Sequence, residues 1–190
     1  ELIIVKDGDG LFYIHEWGFS NIGLMQEGKG YQVKVASDID LVYSLRGNEG
    51  ASTPSAYSYD DRRWMNALTP NGSSHSLLLI AENSMPEGTR VEAYTPDGIL
   101  AGRGIADGAG RIGMALWSDD PLTLAQDGFR AGESFNITVL NNNSMLALTN
   151  LDGNTESWES DGWGVARIAV EAAPYQFGLG KAFPNPFNSR

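Results

Sequence analysis

Four oxygen-bearing side chains stand at alternate positions in NLDGNTE: Asn150, Asp152, Asn154 and Glu156, with Asp161 five residues further on. Hard oxygen ligands at every second position let a loop wrap a calcium ion, so this stretch is the candidate metal site. L-D-G-N is equally good hairpin-turn chemistry, which needs no ion. Asp7 and Asp9 in KDGDG share the spacing, but Leu11 and Gly18 stand where an EF-hand loop would carry ligands. The adjoining SWESDGWG sets Trp158 and Trp163 five apart with acids between them. Sugar rings stack on exposed aromatic faces, so this pair is a candidate glycan platform; the competing reading is a pair of buried core anchors. Tyr57, Tyr59 and Trp64 form a second aromatic group in a polar stretch.

Catalytic constellations are harder to find. A hydrolase triad needs a nucleophile, an imidazole base and an orienting acid. His15 and His75 are the two histidines, and neither lies near a G-x-S-x-G elbow. Two carboxylates suffice for a glycosidase, but Asp119, Asp120, Glu133, Glu156, Glu159 and Asp161 offer many pairs and single out none. Asp119-Asp120-Pro121 reads better as a strand end whose side-chain oxygens take backbone N–H groups. GLGK at 178–181 lacks the strand–loop–helix setting of a phosphate loop. The expectation is a protein that is not an enzyme, with calcium as its one candidate cofactor.

Composition narrows the partners. Thirteen basic against 24 acidic residues give a net charge of −11, which argues against nucleic acid, since that needs a basic face to release counterions. There is no cysteine, so disulfides, thiolate nucleophiles and cysteine zinc sites are excluded. No run approaches the roughly 18 apolar residues of a transmembrane helix. ELIIV already reads as a strand, so the chain is expected to be a mature or excised product.

The elements that must position these groups are strands. Twenty-three glycines and eight prolines punctuate short apolar runs, the pattern of strands joined by tight turns. LIIVKD, LFYIHEW and the alternating YQVKVAS predict a small β unit over 1–46, with DLVYS as a further strand. Residues 47–74 read as a linker or long loop. From 75 to 176, HSLLLIAEN, TRVEAYT, ILAGRGIA, RIGMALWS, SFNITVL and GVARIAVEA predict a larger sandwich. TPDG, DGAG and LDGN would turn between strands. Ile112, Met114 and Leu116 share one strand face, as do Phe135, Ile137 and Val139. The fold class is all-β, an antiparallel sandwich of immunoglobulin-like or jelly-roll-like type.

Three stretches resemble secreted surface proteins of Bacteroidetes-type bacteria. KDGDGLFYIHEWGFSNIGLMQEGKGYQVKV resembles one of their modules, and VEAYTPDGILAGRGIADGAGRIGMALWSDDPLTLAQDGFRAGESFNITVL resembles the β-rich domain that often follows it. AFPNPFN resembles the opening of the type IX secretion sorting domain, with Ser189 where that motif carries proline. The resemblance implies export across an outer membrane and a place outside or on the cell surface, with 177–190 as the stub of the sorting domain.

Both ends of the chain then become candidate assembly elements. Leu2, Ile3, Ile4 and Val5 begin a strand without an obvious hairpin partner, and Phe183, Pro184, Pro186 and Phe187 lie in a stretch that cannot be helical. Such strands can add to a neighbour's sheet edge, and head-to-tail addition builds filaments. The expected function is a structural subunit of an extracellular filament, sheath or layer, or an adhesin segment, forming a homo-oligomer or polymer. The alternative is a carbohydrate- or calcium-dependent binding module that contacts surface glycans.

Overall fold

The computed structural model describes residues 1–40, 58–65, 67–68, 72–83, 85–140 and 144–170. All of DLVYS after Asp40, Tyr57 and the tail with Phe183, Pro184, Pro186 and Phe187 lie outside these residues. The fold is all-β, as the sequence predicts, and the described residues form two sheets. Among the described residues no helix is long and apolar enough to cross a membrane.

The smaller sheet contains β1 (Leu2–Asp7), β2 (Phe12–Ile14), β3 (Phe19–Ser20) and β4 (Tyr31–Val35), in the order β3-β2-β1-β4. Every pairing in it is antiparallel. The larger sheet has seven strands: β5 (Ser74–Ala81), β6 (Arg90–Tyr94), β7 (Leu100–Ile105), β8 (Arg111–Trp117), β9 (Asn136–Val139), β10 (Leu146–Gly153) and β11 (Trp163–Val170). Their order is β10-β11-β5-β8-β7-β6-β9. The expected antiparallel pattern holds except at one pair: β5 runs parallel to β11, with Ser76 opposite Trp163 and Ile80 opposite Arg167.

The larger sheet rolls up on itself. Its edge strands β9 and β10 meet at a bridge between Thr138 and Met145, and Val139 N–H donates to Ser144 O at 2.9 Å. One apolar cluster takes side chains from all seven strands, among them Leu79, Val91, Ala101, Met114, Ile137, Leu146 and Ile168. Rolling is the sheet's own solution to its apolar face, because it closes the core without a second layer on that side. Ile112, Met114 and Leu116 enter this interior together, as their alternation predicts, and so do Phe135, Ile137 and Val139.

The opposite face of the same sheet carries the smaller one. Ile4, Phe12, Ile14 and Phe19 pack against Leu78 and Val165 in a second apolar cluster. The two β units therefore share a core. β4 contributes little to it: Val33 is 40% exposed, and Gln32 and Lys34 are exposed. The alternation of YQVKVAS, a pattern that suits a half-buried strand, here belongs to a largely exposed edge strand.

Three turns repeat one design. At 7–11, 95–99 and 107–111 the oxygen of Asp7, Thr95 or Asp107 accepts the backbone N–H four residues on, at 2.9, 3.1 and 2.8 Å. Each has a glycine at its fourth position with φ of 81°, 82° and 73°, a left-handed conformation that side chains disfavour. This is the three-residue hairpin with a glycine bulge. LDGN does not follow the pattern. It ends β10, which carries a bulge between Asn150 and Asp152, and residues 154–162 make the connection to β11.

The stretch predicted as a linker holds a short helix, α1 (Tyr59–Met65). Ser58 caps it, exchanging hydrogen bonds with Asp61 (Asp61 N–H to Ser58 Oγ 3.1 Å, Ser58 Oγ–H to Asp61 Oδ2 2.7 Å). Trp64 docks the helix on the rolled sheet, with the Arg90 and Arg103 guanidinium carbons 5.0 and 4.8 Å from its ring centroid. Arg103 in turn meets Glu92, which is buried and also accepts the Tyr94 hydroxyl at 2.6 Å.

Candidate functional site

Chemistry-bearing side chains gather where the two sheets meet. Lys6 points from β1 into this seam, and its side chain is only 8% exposed. Nζ donates to Ser74 O at 2.9 Å and to Asp161 Oδ1 at 2.7 Å. A buried ammonium needs such partners, because burial removes its hydration. Asp161 sits in the 154–162 connection with φ 55°, and its side chain is half exposed. Its N–H donates to Ser73 Oγ at 3.0 Å, and Ser73 Oγ lies 2.8 Å from Ser160 Oγ.

The connection is fixed from below. Trp158 is buried, and its indole N–H donates to Leu116 O at 2.8 Å. His75 is fully buried against Phe135. Glu159 N–H donates to His75 Nδ1 at 3.3 Å, so Nε2 carries the proton and donates to Asn154 O at 2.9 Å. Burial is the main reason that the imidazole is pulled down to a pKa of about 4, despite these two backbone contacts. Gly162 completes the fit, since a Cβ there would fall 2.5 Å from His75 Nδ1.

Two adjoining grooves open on either side of the Lys6–Asp161 pair. One, of about 320 Å³, is lined by Asp7, Tyr31, Gln32, Ser74 and Trp117. The other, of about 370 Å³, is lined by Ile4, Gln32, Val33, Lys34 and Ser160. Burial pushes the Asp7 carboxyl above its ordinary range, opposed by the N–H groups of Leu11 and Asp9. A third groove, of about 470 Å³, lies between Ile3, Ile14, His15, Asp152 and Trp163.

The predicted site residues fare differently. Trp158 and Trp163 do not form one platform: Trp158 is inside the rolled sheet, which leaves no face for a sugar, while Trp163 borders the seam core and the third groove. Several members of the NLDGNTE ladder are engaged by the fold itself. Asn150 Nδ2–H donates to Gly153 O. Asp152 accepts Gly153 N–H and the Trp17 indole N–H. Asn154 Oδ1 accepts the N–H groups of Glu156 and Ser157, and Asp161 pairs with Lys6. Glu156 contributes its backbone N–H there. Among the described residues no group of three or more acidic or imidazole side chains could hold a metal ion.

Leu2, Ile3, Ile4 and Val5 are not a donor strand either. β1 is central, paired with β2 on one side and β4 on the other, and Ile4 and Val5 are buried. The loop 119–128 behaves as its sequence predicts. Asp119 Oδ1 accepts Asp127 N–H, Asp120 Oδ1 accepts Leu122 N–H, and Asp127 Oδ1 accepts Asp120 N–H, each at 2.9 Å. The Asp127 N–H, with Arg130 beside it, holds the Asp119 carboxyl below its usual range. The ordered loop presents Leu122 at 91% exposure and Leu124 fully exposed. Sequence reasoning missed both this display and buried Lys6; the first had a signal in P-L-T-L between aspartates, the second none. No protein-family profile, no curated protein and no solved structure matches the chain.

Proposed function

We propose that the chain is a non-catalytic structural module of a secreted cell-surface protein, and that it assembles with a second copy through the loop 119–128. The observation that carries this reading is the pair Leu122 and Leu124, held in water by a loop whose own side chains fix its backbone. Burying an exposed leucine side chain is worth about 1.5–3 kcal/mol, and an already ordered loop loses little entropy on docking. The flanking aspartates favour a protein partner over an anionic bilayer. Support for a non-catalytic role comes from His75, whose two ring nitrogens are both engaged by backbone. The secreted setting rests on the resemblance of the tail and of the two β modules. Assembly moves from the first strand, which the fold uses internally, to this loop.

Sedimentation velocity with negative-stain microscopy tests the reading, on the intact chain and on Leu122→Ser/Leu124→Ser. The intact chain is expected to form concentration-dependent oligomers or fibres, and the double variant to stay monomeric with unchanged thermal stability. A monomeric intact chain at the highest soluble concentration, or equal assembly by both proteins, would overturn it.

A further inference from the structure

The paired grooves around Lys6 and Asp161 have a lining that selects for a particular chemistry. Their central cation is already neutralised by a carboxylate 2.7 Å away, so the pair offers no net charge to an ion. Asp7 on one side and Lys34 on the other oppose anions and cations respectively. What remains is a run of uncharged donors and acceptors, the Gln32 amide and the Ser74 and Ser160 residues, beside the aromatic side chains of Tyr31 and Trp117. Polar groups that both donate and accept, set beside aromatic surface, match a hydroxylated and uncharged ligand.

Size and shape agree with this chemistry. Gln32, Lys6 and Asp161 line both grooves, so the two form a continuous trough with the ion pair at its middle. Each half falls at the lower end of the volumes that ligand sites occupy. The floor is rigid: β1 and β5 supply Lys6 and Ser74, and Asp161 stands on a connection pinned by Trp158 and His75. Among the described residues Asp161 Oδ2 takes no hydrogen bond, which leaves an ionised acceptor at the centre of the trough.

We propose that this trough binds a neutral oligosaccharide, with Asp161 and Gln32 as the groups that take its hydroxyls. The site is separate from the loop 119–128 and stands whether or not the chain self-assembles. It also replaces the Trp158 platform, whose indole is enclosed.

Calorimetric titration of the intact chain with cellohexaose, mannohexaose and chitohexaose tests it, with inorganic phosphate and a polygalacturonate hexamer as charged probes. Binding of at least one neutral hexamer is expected, weakened about thirtyfold in Gln32→Ala/Ser160→Ala, since each of the two lost hydrogen bonds to such a ligand is worth about 1 kcal/mol. Asp161→Asn is expected to weaken it at least as much, and the surface double variant guards against a folding defect in that one. Failure of all three neutral hexamers, binding of the charged probes alone, or neutral binding lost in Trp163→Ala and kept in Gln32→Ala/Ser160→Ala would overturn the assignment.

Discussion

The interior of the rolled sheet and the seam between the sheets solve burial in opposite ways. The interior gathers leucine, isoleucine, valine and methionine from seven strands, with His75 packed at a tilt against Phe135 as a buried polar intruder. The seam has a small apolar patch at its centre and polar groups around it: Lys6, Asn21, Ser74 and a Ser76 hydroxyl that is buried with no partner among the described residues. A closed interior can be dry because the strands satisfy each other's backbones all the way round. The seam joins a broad sheet to a narrow one, so grooves open along its margins. Stability resides in the first region, and the second is where the proposed recognition would take place.

The sharpest way to break this contrast is to cut a hole in each region. Leu116→Ala, inside the rolled sheet, is expected to lose about 2–5 kcal/mol in urea unfolding, while Val33→Ala on the exposed strand stays within about 0.5 kcal/mol. Equal losses would show that the interior is no tighter than the edge. Next in size is a pH effect. His75 has a depressed pKa in the fold, so its contribution is fully present above about 6.5 and is lost as pH falls toward about 4. That window spans about 3 kcal/mol. Urea midpoints from pH 7 to 4 should fall more steeply for the natural chain than for His75→Gln, which can keep both backbone contacts; parallel profiles would refute the assignment. The smallest effect is an asymmetry in the seam. Asp161→Ala leaves a buried ammonium with one partner and is expected to cost about 1–3 kcal/mol, whereas Lys6→Met frees a half-exposed carboxylate that water screens, for a change below about 1 kcal/mol. If the two losses match, the pair is an ordinary surface bridge.

Local grammar carried much of the fold into the sequence. The alternation in RIGMALW and SFNITV predicts the faces that line the interior, and T-P-D-G and D-G-A-G predict turns that the structure builds around one hydrogen-bonding scheme. Distant pairings were not legible. Nothing local in LIIVKD says that β1 will be flanked on both sides, so a free strand was the natural reading. SWESDGWG reads as an aromatic surface because spacing cannot tell an indole that plugs a barrel from one that faces water. In NLDGNTE, whose spacing equally suits an ion, the Asp152 and Asn154 oxygens accept from neighbouring backbone and from Trp17. Lys6 is invisible for the same reason: its partner lies 155 residues away, in the connection between β10 and β11.

The parallel pairing of β5 with β11 bears on how the molecule comes into being. β5 is the first strand of the larger sheet in the chain and β11 the last described, so this interior strand waits for nearly the whole sheet to be made before it gains its second neighbour. Pairings between such distant segments carry the loop-closure entropy that slows folding. Until β11 arrives, Leu77, Leu78 and Leu79 form an unpaired apolar edge, the kind of surface that captures other nascent chains. An early stop before Trp163 would therefore leave a sticky half-barrel rather than a smaller protein.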